Sequence, residues 1–567
     1  MCARVLVCAC LLIWIFETSG RYQLAMSHWV VRDGWYRGNQ LLQPVANVFG
    51  VQLDKFNYIA AGFSCILLGS VYRVVLHPSR VTPLARQLYT IIVGVAVLCF
   101  CFGLDIKHML LQTALSFLLI AFCPIESLPR TTLIFNLGYQ SIMHALRMYY
   151  DYEGYTLDIT GALMMLTQRL TSLAFNLRDG QLPEKCTPLM LKHAVKKKPS
   201  FILYLAYGFD FHQILCGPLI PFNEFEAVTK GTIFEDRQRD MKNKGDDKLK
   251  KPEVSDPNPT PYVLKRSLDC ILCILVLIFV VPRFQQEFLF SDEFRNSYMP
   301  VKMFWLFVYT ALTRQQYYVI WKMAEAICNS SNLGYYYENG EDHWDGCTNV
   351  DIWGVETAVS QREGLAAWNK STQQWLRSIC YDRVATSKTL TTFFLSAAWH
   401  GFYPGYYLTF MTLAVQTLAA RSVRRSVRPF FQKSASSRFV WDAITFVATV
   451  AGFAYATIPF ILLSFGKAMA MWWEMYFYGH IFSVMAIFVL PRLISPAREG
   501  KEKLACSDQP QAARVLDQCD LSYGSSERQL NNSKLISKFG QVCTQQNDNK
   551  KGTSTINSLQ STEVRQG

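Results

Sequence analysis

His400 lies in the run Ser396-Ala397-Ala398-Trp399-His400-Gly401-Phe402-Tyr403-Pro404-Gly405-Tyr406-Tyr407, a titratable imidazole among apolar and aromatic side chains. A polar group at such depth costs several kcal/mol unless it is paired or used, so an ionisable residue in a membrane-length apolar stretch is a candidate for chemistry. Histidine titrates closest to neutral pH and can take a proton from a hydroxyl as its oxygen attacks. The competing reading is an interhelical hydrogen-bond partner. His144 with Arg147, His480 with Glu474 and His212 with Asp210 read as structural pairs or pathway residues rather than bases. Glu325 and Lys322 stand at i, i+3 spacing on an otherwise apolar segment, with Arg314 about two turns earlier. Such a set should face the protein interior or a wet cavity. No metal is expected: Cys270-x-x-Cys273 lacks a second pair or nearby histidines.

The elements that must position these residues are apolar helices. The 567 residues are 51% hydrophobic and only 17% charged, and the apolar ones gather into runs long enough to cross a hydrocarbon core of about 30 Å, which needs about 20 residues per helix. The runs are 57–76, 88–104, 109–123, 132–149, 267–281, 300–328, 389–420, 441–465 and 471–490. The expected fold is an all-α polytopic membrane protein with roughly nine to eleven transmembrane or re-entrant helices enclosing a chamber. The run 389–420 is long enough for a broken or re-entrant pair around Pro404 and Gly405. The run 201–220 contains Asp210, His212, Gln213 and Gly217-Pro218 and is flanked on both sides by basic residues, as a re-entrant element lining a cavity would be.

Charge and composition set the borders. The net charge of +13 concentrates in connecting segments around Lys196–Lys198, 230–251, 421–428 and 492–503, which read as cytosolic topology signals and contacts for anionic lipid headgroups rather than a nucleic-acid surface. Most of the seventeen cysteines, Cys99, Cys101, Cys123 and Cys216 among them, lie inside apolar runs and so argue for core packing, not a disulfide framework. Residues 1–40 form an N-terminal extension with a signal-like apolar segment, either removed or retained. Residues 41–495 form the membrane domain, with a charged, proline-bearing loop at 236–261 expected to be flexible. Residues 496–567, rich in Ser, Gln, Asn and charge, are expected to be a disordered polar cytosolic tail.

Upstream of His400 stands Ala367-Trp368-Asn369-Lys370-Ser371-Thr372-Gln373-Gln374-Trp375-Leu376-Arg377, with Asn369 31 positions before the histidine (400 minus 369). This pairing resembles the membrane-bound O-acyltransferase family, whose signature is a Trp-Asn on a cytosolic-side element and a histidine in a following apolar helix. Trp399-His400-Gly401-Phe402-Tyr403-Pro404-Gly405-Tyr406-Tyr407, Leu163 through Phe175, Pro199 through Tyr204, Cys216-Gly217-Pro218 and Tyr317-Tyr318 through Ala326 are similar to the lysophospholipid acyltransferase branch. Within it, the subgroup acylating lysophosphatidylethanolamine and lysophosphatidylserine matches best. The segment Glu325 to Ser331 and the lysine-rich loop near Lys242 depart from that pattern.

The resemblance implies transfer of a fatty acyl group from acyl-coenzyme A, as co-substrate, to the free hydroxyl of a lysophospholipid in phospholipid remodelling. It also implies a multi-pass protein of the endoplasmic reticulum membrane with no permanently bound cofactor. His400 is then the base. Asn369 can both donate and accept through its amide, so it could hold the acyl donor, support the oxyanion, or orient the histidine; the sequence does not select among the three. No serine or cysteine nucleophile is needed, because the thioester is already activated. Trp368, Trp399 and Tyr403 are candidate substrate contacts, and Glu325 with Lys322 would border the chamber for the phospholipid headgroup. The same Asn and His would serve an acyltransferase for a sterol, a diacylglycerol or a secreted protein. A transporter or channel would also have many helices but predicts repeat symmetry, which the sequence does not display. Oligomeric state, headgroup ranking and acyl-chain preference are left open.

Overall fold

Inside hydrocarbon every backbone N–H and C=O needs a partner within the protein, which leaves apolar runs the choice of helix or closed barrel. This chain chooses helix. The computed structural model describes residues 36–154, 156–243 and 256–494. The signal-like segment up to residue 35, the loop residues 244–255 and the polar tail from residue 495 lie outside the described residues.

The principal helices are α1 (Leu53–Val74), α2 (Pro83–Phe102), α3 (Ile106–Phe122), α4 (Leu128–Tyr150), α5 (Ile159–Gln181), α6 (Phe201–Gly208), α7 (Thr260–Phe279), α8 (Met299–Ser330), α9 (Lys370–Leu376), α10 (Lys388–His400), α11 (Pro404–Ser426), α12 (Ala435–Leu462), α13 (Phe465–Glu474) and α14 (Tyr478–Val484). Their starts follow from local chemistry. Thr82 accepts from the Ala85 N–H ahead of Pro83, and Ser434 and Ser437 cap each other at the head of α12. A short antiparallel hairpin, β1 (Tyr336–Glu338) and β2 (Glu341–His343), is the one departure from helix among the described elements.

By length and composition alone, two described stretches qualify as membrane spans, Pro83–Phe122 and Ala435–Leu462, and a third is the pair Phe465–Glu474 and Tyr478–Leu493, bent by 76°. Helices α1, α4, α5, α8 and α11 are 22, 23, 23, 32 and 23 residues long, enough for such a core at 1.5 Å per residue. In α1, α4 and α5 the hydropathy is lowered by polar residues that point inward: Asn57, Asn136, Gln140 and Gln168 are all buried.

Helix α5 is buried along almost its whole length and packs against α3, α4, α6 and α9. It is not among the apolar runs of the sequence, because Thr167, Gln168, Arg169 and Thr171 interrupt its hydrophobic residues, yet it is central to the packing. The run 201–220 forms only the eight-residue α6, followed by buried irregular backbone. Eight residues reach about 12 Å, too short to cross, so the chain turns back in the protein interior.

One expectation is corrected. Residues 236–243 are not a flexible loop but belong to a helix, Glu235–Asn243, which is fastened to the hairpin by Arg237 to Asp342 at 3.1 Å and by the Tyr337 hydroxyl to Asp240 at 2.5 Å. Charge composition suggests disorder; specific pairing overrides it.

Candidate active site

The run around His400 breaks where its residues require. Helix α10 ends at His400 because Gly401 adopts φ +121°, a conformation few side chains tolerate, and Pro404 starts α11 at its first turn. The terminated helix leaves the Trp399 carbonyl without a helical partner. Two side chains of α4 supply one: the Gln140 amide donates to it, and His144 Nε2 lies 3.2 Å away. A Cβ on Gly401 would meet the His144 ring at 3.2 Å, so the two elements close on each other here.

His400 itself is half-buried. Its ring stacks on Phe410 at 5.1 Å, meets Phe460 edge-on at 5.1 Å, and lies 5.7 Å from Tyr406. It makes no hydrogen bond among the described residues. The imidazole is therefore held by packing while both nitrogens keep their hydrogen-bonding capacity. The three other histidines weighed from the sequence are engaged elsewhere. His212 pairs with Asp210 at 2.5 Å and Ser331 at 2.7 Å. His480 binds the Tyr455 hydroxyl at 2.6 Å and Thr412 at 3.3 Å, while Glu474 pairs with Lys302 instead. His144 serves the Trp399 carbonyl, and Arg147 pairs with Asp158.

Asn369 stands at the head of α9 with φ +44°, a left-handed conformation asparagine accepts more readily than most residues. Its oxygen accepts from Asn349 Nδ2 at 3.2 Å. Next to it, Trp368 packs on α8, 4.8 Å from Trp321 and 5.6 Å from Tyr317. Helices α9 and α10 meet through Trp375 and Trp399, 5.6 Å apart, in a small core with Phe175 of α5. So the elements bearing Asn369 and His400 are packed together against α5.

The remaining candidates are engaged in the framework. Trp399 is buried and donates to the Met164 carbonyl at 3.1 Å. Tyr403 is buried, accepts from the Glu153 N–H at 3.0 Å and donates to the Asp151 carbonyl at 3.2 Å. Glu325 receives Arg266 at 2.8 Å, Lys322 at 3.0 Å and the Thr348 hydroxyl; Lys322 also donates to the Val350 carbonyl at 2.8 Å. Arg314 belongs to a separate group, donating to Glu356 at 2.9 and 2.5 Å. Sequence reasoning missed Gln140, Asn349 and Glu356. Cys270 and Cys273 are free buried thiols, and the described residues contain no metal-ligating cluster.

A groove of about 510 Å³ lies along α11, lined by Pro404, Tyr407, Met411, Phe465 and Trp472. At 100° per residue Pro404 and Met411 lie about 100–160° around α11 from Tyr406 and Phe410, which cover His400, and Tyr407 lies between the two sets. A second, polar cavity of about 280 Å³ is lined by Arg73, His77 and Arg86. Neither is lined by His400 or Asn369.

Over residues 145–465 the chain matches the membrane-bound O-acyltransferase family. It is 33% identical over 502 residues, 88% of this chain and 96% of the relative, to membrane-bound glycerophospholipid O-acyltransferase 2 of Gallus gallus. The corresponding protein 1 of Homo sapiens is 32% identical over 462 residues, 80% of this chain and 92% of that one. Lysophospholipid acyltransferase 6 of Drosophila melanogaster is 34% identical over 484 residues, 84% of this chain but 66% of the fly protein.

Proposed function

The chain belongs to the membrane-bound O-acyltransferase family, and from that premise we propose that it transfers a fatty acyl group from acyl-coenzyme A to the free hydroxyl of a lysophospholipid. The relatives' names support this acceptor class, with lysophosphatidylethanolamine, lysophosphatidylserine and lysophosphatidylcholine the first headgroups to compare. The protein is an O-acyltransferase and a multi-pass membrane protein; residence in the endoplasmic reticulum is part of the proposal.

The observation that carries the reading is the state of His400, an imidazole fixed by aromatic rings with no hydrogen bond of its own among the described residues. A nitrogen of this ring accepts the acceptor's hydroxyl proton as its oxygen attacks the thioester carbonyl. The tetrahedral intermediate collapses, the carbon–sulfur bond breaks, and the protonated imidazole returns the proton to the coenzyme A thiolate. Asn369 holds the thioester end of the donor or its developing oxyanion. Phe410 and Phe460 exclude water from the ring faces, which limits hydrolysis of the thioester and strengthens each polar contact.

The test is expression in microsomes with a panel of lysophospholipids, a sterol, a diacylglycerol and one labelled acyl-coenzyme A, comparing the intact protein with His400→Ala. Labelled phospholipid should fall by roughly a hundredfold or more in the variant. Equal product from both proteins would remove His400 from the chemistry, and label in the sterol or diacylglycerol alone would replace the acceptor class.

A further inference from the structure

Asparagine is among the best helix N-caps because its side-chain oxygen accepts from the N–H groups of the first turn. Asn369 occupies the N-cap of α9 and makes no such bond. The task has passed to Asn349, a residue 1% exposed and 20 positions earlier. The Asn349 carbonyl accepts from the Lys370 N–H at 2.9 Å, and its side-chain oxygen accepts from the Ser371 N–H and hydroxyl, both at 2.9 Å.

This fixes the orientation of two amides by donor and acceptor logic alone. A backbone N–H can only donate, so the Asn349 atom facing Ser371 is its oxygen. Its other terminal atom is then the NH2 group, which donates, so the Asn369 atom 3.2 Å away is oxygen. The Asn369 NH2 is left pointing away from Asn349, and it has no hydrogen-bond partner among the described residues.

The segment bearing Asn349 is itself clamped. Thr348 donates to Glu325 and Lys322 donates to the Val350 carbonyl at 2.8 Å, so the buried Glu325–Lys322 pair, joined by the partly exposed Arg266, grips the backbone on either side of Asn349.

We propose that Asn349 is a positioning residue for acyl transfer: by capping α9 in place of Asn369 it frees that side chain and fixes its NH2, rather than its oxygen, toward the reacting thioester carbonyl. This rests on the reading of Asn369 as part of an acyltransferase site.

The decisive variant is Asn349→Asp. The introduced carboxylate still accepts from Ser371, and a negative charge at a helix N-terminus is favourable, so a purely structural cap would be unharmed or improved. Facing a carboxylate, however, Asn369 turns its NH2 toward that new acceptor and its oxygen toward the site. kcat should fall at least about tenfold, toward the hundredfold typical of a lost oxyanion donor, with KM for acyl-coenzyme A changed less than about threefold. In an Asn369→Ala background the same change should cost less than about twofold, because its effect runs through Asn369. If the Asn349→Asp protein does not reach the membrane folded, Asn349→Ser, which removes the amide donor to Asn369 without adding a charge, carries the same expected loss. An inactive Asn369→Ala together with a fully active Asn349→Asp overturns this proposal and leaves the acyltransferase reading standing. A fully active Asn369→Ala overturns the reading beneath it.

Discussion

Gln140 of α4 donates to the main-chain carbonyl of Trp399, the residue immediately before His400, across 259 positions of sequence. The proposed base is thus oriented from a different helix, through the backbone that carries it, rather than by a bond to its own ring. Replacing Gln140 with Met keeps the volume and removes the donor, leaving the carbonyl with His144 as its remaining side-chain partner. A misplacement of about 1 Å can cost up to a hundredfold in rate, so kcat of Gln140→Met should fall about tenfold while lysophospholipid KM stays within about twofold. Steady-state assays in microsomes at matched expression would read both numbers.

Much of the proposed site is legible in the sequence. His400 and Asn369 stand out by residue type, and Pro404 marks the start of α11, although the break itself falls at Gly401 and Gly405 lies inside the first turn of the new helix. What stays hidden depends on pairing over long sequence distances, which leaves no periodic trace. Nothing near Asn349 announces that it caps α9, and nothing near Gln140 announces Trp399. Helix α5 escapes notice as an element because its inward-facing Gln168 and Arg169 dilute the hydropathy that marks a buried helix. His480 beside Glu474 misleads in the opposite direction, since proximity in sequence does not become contact in space.

Glu325 offers a contrast between headgroup contact and internal strut. One carboxylate oxygen receives Arg266 and Thr348, the other receives Lys322, so both oxygens are engaged by the protein itself. Glu325→Ala would leave a nearly buried Lys322 without its carboxylate, a change worth about 3–5 kcal/mol. The expected result is a sharp fall in folded protein, seen as a lower melting temperature in detergent, with the order of preference among lysophospholipid headgroups unchanged in the activity that remains. A reordered headgroup preference at unchanged stability would restore Glu325 to the substrate.

Arg383 fastens the segment after α9 to α5. Its guanidinium donates to both oxygens of the buried Asp179, at 3.0 and 2.5 Å, and lies 4.6 Å from the Phe175 ring. Lysine keeps the charge but loses the planar fork and the stacking. Arg383→Lys should therefore destabilise the protein by about 1.5–3 kcal/mol, and Arg383→Met by more, although Arg178 at 3.2 Å gives Asp179 a second cation. Thermal unfolding of the three proteins in the same detergent would rank them. An Arg383→Lys protein as stable as the parent would show that the charge alone holds the two elements together.

Gly401 offers a way to separate packing around His400 from the chemistry proposed for it. At φ +121° an alanine is strained by about 1–3 kcal/mol, and its Cβ would stand 3.2 and 3.3 Å from Cγ and Nδ1 of His144, tighter than ordinary contact. The ring that receives this push is the one beside the Trp399 carbonyl, so the displacement passes to the end of α10 and to His400. Gly401→Ala should thus lose activity well beyond its loss of stability: about tenfold or more in kcat at a melting temperature only a few degrees lower. Substituting His144 with Ser in the same chain removes the obstructing ring, and part of the lost kcat should return if the clash is the cause. No recovery in the double variant would assign the defect to backbone strain at residue 401 itself.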